Sequence, residues 1–364
     1  YIFSTKEMSN ISFKGEFAYM SPDPNTKKST ISSDGGKSIA YIDDFEGAKR
    51  IIPIGVSYTG WRDLSVPDNI PTIPEPLDKD QLMRYKGKSY WYNVLPSDVY
   101  VENIWGNRKS VAREDRQVTV LDYVFDPTRR GTYNKNPKLD EPQKMWGGIM
   151  RLLSSTASNL VEENIEFIEF YLNLKSVPDD AKLYIDLGQI SEDVIPNGVL
   201  DSEDKNQNDL VDEGEDTGID GITDAQERAL DTLNLGNDPA NDNFSFTLTN
   251  NPDYSKINGT EGNAALTDVG RLPDTEDLNR NFTLDRLNSY FRYEVKLDST
   301  SDFIAGGGDG TQKWYLFRVP LKDFKEKIGD PTFTLVEYIR FWVSGVQQPL
   351  HLRFAELNLV GNQW

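Results

Sequence analysis

Eleven carboxylates against a single lysine crowd residues 201–227, DSEDKNQNDLVDEGEDTGIDGITDAQE, and that density limits what the chain can fold into. Like charges about 5 Å apart repel by ~0.8 kcal/mol per pair even in water, so such a stretch either stays expanded or meets cations. Its ten excess negative charges are about half of the chain's net −20. The order of the residues points to calcium. Counted from Asp204, oxygen-bearing side chains fall at positions 1, 3, 5, 9 and 12 of a 12-residue loop: Asp204, Asn206, Asn208, Asp212 and Glu215, with the Leu210 carbonyl at position 7. A second count from Asp216 gives Asp216, Asp220, Asp224 and Glu227, the Ile222 carbonyl, and Gly221 at position 6. This is EF-hand-type spacing, and a hard dication taking six to eight oxygens at ~2.3–2.6 Å requires such a supply.

The pattern has departures. Asp209 stands where the first loop would have its turn glycine, and Gly218 leaves position 3 of the second without a side-chain ligand. Pro196 and Gly198 argue against an entering helix, although Thr223-Asp224-Ala225-Gln226 is a capping-box start for a helix running towards Leu233. The closer comparison is with isolated calcium loops of extracellular modules; a solvated acidic loop and a regulatory sensor are the alternatives. A third loop, DLNRNFTLD, repeats the 1, 3, 5, 9 spacing with Asp277, Asn279, Asn281 and Asp285, but has Asn288 at position 12.

With 59 acidic and 39 basic residues the chain repels phosphate backbones, which argues against nucleic acid as a partner. It has no cysteine, so disulfides and thiolate metal sites are excluded. Its one histidine, His351, lies in the alternating run LHLRF and reads as a strand surface residue rather than a ligand. No stretch approaches the ~18 apolar residues of a membrane helix. The chain opens in mid-strand without methionine, which suggests a piece of something longer.

Residues 10–20 alternate, with Ile11, Phe13, Phe17 and Tyr19 on one face; residues 1–20 would supply either a half-buried strand or a strand of a membrane barrel. Residues 21–39 are a linker by composition. The remainder, residues 40–364, reads as short β runs at 40–43, 148–153, 165–174, 182–187, 290–297, 314–321, 338–343 and 350–360. Such spacing, with few helices, predicts a mostly β domain, an antiparallel sandwich of jelly-roll type. Two insertions interrupt it: 62–145, read as an extended arm, and 188–289, which carries the calcium-type loops.

Several strings converge on one family: YIDDFEGAKR (41–50), VTVLDYVFDPTRRGTYN (118–134), MWGGIMRLL (145–153), NIEFIEFYL (164–172), LYIDLGQISEDVIPNG (183–198) and YIRFWVSGVQQPLHLRFAELNLVGNQW (338–364). Together they resemble the SprA/Sov family, giant outer-membrane translocons of the type IX secretion system of the Bacteroidota, needed for protein secretion and gliding motility. The resemblance implies that residues 1–20 are a barrel strand and that residues 40–364 are a soluble insertion attached to the barrel, placed here at the cell-surface cap with the periplasmic side as the alternative. It also implies partners: the rest of the barrel, a porin-like shuttle protein, a periplasmic plug and secreted proteins in transit. A likeness to galactose-binding jelly rolls adds a further calcium hypothesis, joining Asp44 or Glu46 to Glu356 across the first and last strands.

No paired acid and base, activated nucleophile or open metal site is marked by a motif, and the glycine run 306–310 lacks the lysine of a phosphate loop, so the reading is not an enzyme. The alternative function is a calcium-stabilised carbohydrate-binding module. Its stacking platform would be drawn from Trp61, Trp91, Trp105, Trp146 and Trp314, and would have to stand exposed.

Overall fold

The computed structural model describes residues 48–106, 109, 111–264, 272–307 and 313–363. The barrel strand expected in 1–20, the linker 21–39, the run 40–43, Asp44 and Glu46 lie outside these residues.

The described chain is mostly β, with every strand pairing antiparallel, and its strands form two sheets. The first runs in the order β2 (Gly87–Asn93), β3 (Leu121–Arg130), β12 (Leu350–Gln363), β5 (Ile165–Ser176), β9 (Trp314–Pro320), β8 (Ile304–Gly307). Also in it, β1 (Ala48–Pro53) pairs with the later part of β12, whose earlier part pairs with β3. The second sheet is β10 (Glu326–Ile328), β7 (Ser289–Lys296), β6 (Lys182–Gln189), β11 (Tyr338–Ser344), β4 (Trp146–Leu152). Among the described residues neither sheet closes into a barrel.

Period-two alternation builds the core between the sheets. Phe291, Tyr293 and Val295 of β7, and Ile339, Phe341 and Val343 of β11, face inward as their spacing predicts, and meet Ile168, Phe170 and Leu172 of β5 and Leu352 and Phe354 of β12. The Phe341 ring joins the layers, its centroid 6.1 Å from that of Phe170 and 5.5 Å from that of Phe354. Each such fully buried side chain contributes about 1.5–3 kcal/mol.

The stretch 62–145 is not an extended arm. It supplies β2 and β3, whose residues Trp91, Leu121, Tyr123 and Phe125 enter the core. In β3 the alternation is obscured because Asp122 and Val124, on the other face, are buried too. Asp122 accepts from Arg353 Nε at 2.6 Å and from His351 Nε2 at 2.7 Å, so the histidine is tied to a carboxylate on the neighbouring strand. Of the two α-helices described in this stretch, α1 (Lys79–Met83) and α2 (Val101–Trp105), the second covers Trp314 and Ala355 on that same outer face.

The outer face of the second sheet is buried as well. Tyr184, Tyr290, Tyr338 and Trp342 lie under a third layer formed by Leu64, Val66, Ile70 and Leu82 from one segment and Ile190, Val194, Ile219 and Ala240 from another. In the middle, Asp186 receives Arg292 Nε at 2.7 Å and Arg340 Nη2 at 2.7 Å, all three side chains being essentially inaccessible. Burial alone would raise Asp186, but the two guanidiniums outweigh it and hold the carboxyl below its usual range. The arginines also donate to the backbone carbonyls of Asp68 and Ser65, fastening the third layer to the sheet.

Candidate metal centre

The acidic residues occupy one connection in that third layer. It leaves β6 after Gln189 and returns to β7 at Ser289, and these two residues pair with each other in the sheet. The connection contains the short helix α3 (Asp224–Leu230), which begins at Thr223 as the capping box predicts, with Gln226 Oε1 accepting the Thr223 N–H at 2.9 Å.

The loop counted from Asp204 closes on itself. Asp204 accepts the N–H groups of Asn208 and Asp209 at 3.0 and 2.8 Å. The amides of Asn206 and Asn208 turn to Asp212 Oδ2 at 2.7 and 2.9 Å. Glu215 accepts the N–H groups of Lys205 and Asp212 at 3.2 and 2.9 Å. All five side chains read from the spacing therefore converge. Gln207 and Asp209 are both left-handed at φ 60°, so Asp209 adopts the turn conformation for which glycine was missing.

The loop counted from Asp277 repeats this network bond for bond. Asp277 accepts from the N–H groups of Asn281 and Phe282 at 3.0 and 2.6 Å, Asn279 and Asn281 turn to Asp285 at 2.7 and 3.3 Å, and Arg280 and Phe282 are the left-handed pair. The carboxylate missing at position 12 arrives from far upstream. Glu192 accepts the N–H groups of Leu278 and Asp285 at 2.9 and 3.3 Å, the same two loop positions that bond Glu215. The Tyr338 hydroxyl of β11 donates to Glu192 Oε1 at 2.6 Å, fixing this loop to the sandwich.

A shorter acidic turn mirrors the exchange. Asp193, Asn197 and Asp201 follow one another around Gly198, with Asn197 Nδ2 on Asp201 Oδ2 at 2.6 Å, and Glu276 accepts the N–H groups of Ile195 and Asp201 at 2.8 and 3.1 Å. Glu192 and Glu276 thus each precede one turn and complete the other. Between them Ser202 bridges Thr275 in antiparallel register. Burial pushes Glu276 up to about 8.

The second predicted loop does not form as one ring. Asp216 points away and accepts the N–H groups of Gly262, Asn263 and Ala264 at 2.9, 3.0 and 3.2 Å. A loop with glycine at position 3 has too few side chains of its own, and the remaining three turn instead to downstream partners. Asp220, Glu227 and Asp242 bring one carboxylate oxygen each within 4.8 Å of one another, and so do Asp224, Glu227 and Asp238. Glu261 stands beside them, accepting the Asp224 N–H at 3.0 Å. Burial, reinforced by the neighbouring carboxylates, pushes Glu227 up to about 7 and Asp242 up to about 8. Burial also takes Asp220 to about 6.

Glu192, Asp238, Asp242, Glu261 and Glu276 escaped the sequence reading, because their partners lie tens of residues away and a spacing rule sees only one loop at a time. The DPAND run at 238–242 carried a signal, since it repeats acidic positions 1 and 5. Glu356, the described member of the first-to-last-strand hypothesis, pairs with Lys109 Nζ at 2.9 Å. The six described tryptophans, Trp61, Trp91, Trp105, Trp146, Trp314 and Trp342, are all buried, so none offers a sugar a stacking face.

A donor set made of carboxylate and amide oxygens, with neither imidazole nor thiolate, suits a hard dication rather than zinc or copper. Arginine and lysine neutralise little of it: Arg280 pairs with Asp209 at 2.7 Å and Lys256 with Asp238 at 2.7 Å. No curated protein matches the chain. A family model described as motility related/secretion protein, SprA_N, matches residues 228–364, which span the end of α3 and strands β7 to β12, so that part of the chain is similar to this family.

Proposed function

We propose that this chain is a non-catalytic, structural and gating part of an outer-membrane protein-export translocon of the type IX system, and that calcium held in its acidic loops keeps it rigid. In this reading the sandwich sits at the cell-surface cap, joined to the translocon barrel, close to a porin-like shuttle protein and a periplasmic plug, and secreted proteins pass beside it. The observation that carries the reading is the match of residues 228–364 to a secretion and motility family, over strands that belong to both sheets. The twin loops support the role of the ion. Asp204, Asn206, Asn208, Asp212 and Glu215 would hold one calcium, and Asp277, Asn279, Asn281, Asp285 and Glu192 another. Bound there, calcium supplies fixed positive charge that lets like-charged side chains pack together.

The test is made in cells that carry the whole translocon. Asp204→Asn with Glu215→Gln, combined with Asp277→Asn and Glu192→Gln, is expected to cut secretion and spreading while the protein still reaches the outer membrane. Undiminished secretion by this variant would refute the reading. A cysteine placed at Val199, which is 64% exposed, is expected to react with an impermeant maleimide on intact cells. Labelling only after lysis would move the domain to the other side of the membrane.

A further inference from the structure

The carboxylates around Glu227 differ from the twin loops in one respect. Their charge is turned inward on atoms that no described residue satisfies. Among the described residues, Asp224 Oδ1, Glu227 Oε1, Asp242 Oδ1 and Glu261 Oε2 are buried without a hydrogen-bond partner, and the residues Glu227 and Asp242 are 5% and 1% exposed. An orphaned buried carboxylate oxygen carries a desolvation cost that native folds avoid unless something fills the space. Four such atoms in one cluster suit a positively charged ligand.

The surroundings are shaped for one. Asp242 N–H donates to Asp238 Oδ1 at 3.1 Å, and the residue between, Asn241, is left-handed at φ 59°. This is the same bond, between positions 5 and 1, and the same left-handed position 4 that Asn208 and Gln207 show around Asp204. The turn at 238–242 is therefore half a calcium loop, and α3 presents the other half. Ala240 N–H fixes Glu227 Oε2 at 3.0 Å, leaving Oε1 for a ligand; the Tyr133 hydroxyl fixes Asp242 Oδ2 at 3.2 Å, leaving Oδ1. Each carboxylate is held by one oxygen and offers the other.

We infer that Asp220, Asp224, Glu227, Asp238, Asp242 and Glu261 form a two-ion calcium centre in which Glu227 bridges one ion lying between Asp220 and Asp242 and another between Asp224 and Asp238. The two groups of converging oxygens share Glu227 and no other residue. Six carboxylates face two ion-paired cations, Lys256 at 2.7 Å from Asp238 and Arg228 at 3.5 Å from Asp224, with Arg130 and Lys135 nearby, so the cluster keeps an excess of negative charge that divalent ions would offset. The donors are all oxygen, and the site draws on residues from 220 to 261, so an ion here ties α3 to the turn at 238–242 and to Glu261 in a single unit. Magnesium is disfavoured because it demands a near-octahedral set and keeps its own waters, whereas a crowded carboxylate cluster of irregular shape suits the larger ion.

The inference rests on the calcium reading of the loops, and the experiment separates the two. The 364-residue chain is dialysed against micromolar to millimolar calcium chloride, and bound calcium per chain is counted by elemental analysis, for the wild type, Glu227→Gln, and the loop variant Asp204→Asn with Glu215→Gln. Glu227→Gln is expected to lose two ions and the loop variant one, with circular dichroism unchanged. Calcium retained by the wild type but reduced by one or none in Glu227→Gln overturns the two-ion centre and leaves the loops standing. A wild type that holds no calcium overturns both. If Glu227→Gln does not fold, Asp224→Asn, at the more open edge, replaces it, with an expected loss of at least tenfold in affinity for one ion; unchanged affinity counts against the centre. Magnesium chloride in place of calcium is expected to bind at least tenfold more weakly, and equal filling would overturn the assignment to calcium.

Discussion

Tyr338, on a strand of the sandwich, donates its hydroxyl to Glu192 at 2.6 Å, and Glu192 in turn holds the backbone of the loop that begins at Asp277. One buried hydrogen bond thus couples the sheet to an acidic loop. Tyr338→Phe removes it without changing ring volume, and a bond to a charged group contributes about 1.5–3 kcal/mol. A fall of the urea midpoint by that equivalent is expected; an unchanged midpoint would mean that the loop is held by other contacts.

Glu192 is expected to act as the twelfth position of a loop it does not belong to. Glu192→Gln should weaken calcium binding at the 277 loop about as much as Glu215→Gln weakens it at the 204 loop, tenfold or more, or ~1.4 kcal/mol. Calorimetric titration of the two variants makes the comparison. A full-strength 277 loop in Glu192→Gln would show that the exchange between loops is only structural.

Calcium itself should stabilise the fold. A site whose dissociation constant is about ten times below the free ion adds ~1.4 kcal/mol, so several sites together should shift the melting temperature by several degrees. Identical melting in EDTA and in millimolar calcium is the result that removes the ion from the account.

The pH dependence follows from the direction of the shifts. Burial raises Glu227 from an ordinary 4.5 to about 7 and Asp242 from 3.8 to about 8, so without an ion the folded state binds protons more tightly than the unfolded one. That contribution is complete below the ordinary carboxylate values and is lost as pH rises through about 7 and 8. In EDTA the protein should therefore melt lower at pH 8.5 than at pH 5.5. Calcium should shrink or reverse the difference, because it replaces the protons. A flat profile in EDTA would contradict the clustering of these groups.

Asp186 sets the opposite limit. Its carboxyl, depressed by Arg292 and Arg340, contributes stability that is present above the ordinary aspartate value and lost as acid titrates it. Asp186→Asn leaves the buried Arg340 without its counter-charge and Arg292 with only Glu326 at 3.3 Å, and a loss of about 3–5 kcal/mol is expected in denaturant unfolding. A loss below 1 kcal/mol would mean that the backbone carbonyls of Asp68 and Ser65 suffice.

Strands with clean alternation were legible in the sequence. The runs read at 290–297 and 338–343 are strands whose alternate residues enter the core, and the helix start at Thr223 was given by its capping chemistry. Legibility failed where both faces of a strand are covered: Asp122 and Val124 in β3 are buried beside the core residues, and the period-two signal disappears. The acidic loops divided in the same way. Those supplied by consecutive residues, from Asp204 and from Asp277, appeared in the spacing, whereas Glu192, Asp238, Asp242, Glu261 and Glu276 are brought in by the path of the connection, which no local count contains.

Since Gln189 and Ser289 face each other across two neighbouring strands, the whole acidic layer is, to the sheet, a single hairpin turn. A tight turn could close the same pair of strands and leave strand order and register untouched. It would also leave Tyr184, Tyr290, Tyr338 and Trp342 covered only by the segment of Leu64, Val66, Ile70 and Leu82, exposing part of an aromatic surface that other chains would find sticky. The connection is thus dispensable to strand order and register, while it shields part of the aromatic face of the sheet, and loosening it uncovers that part.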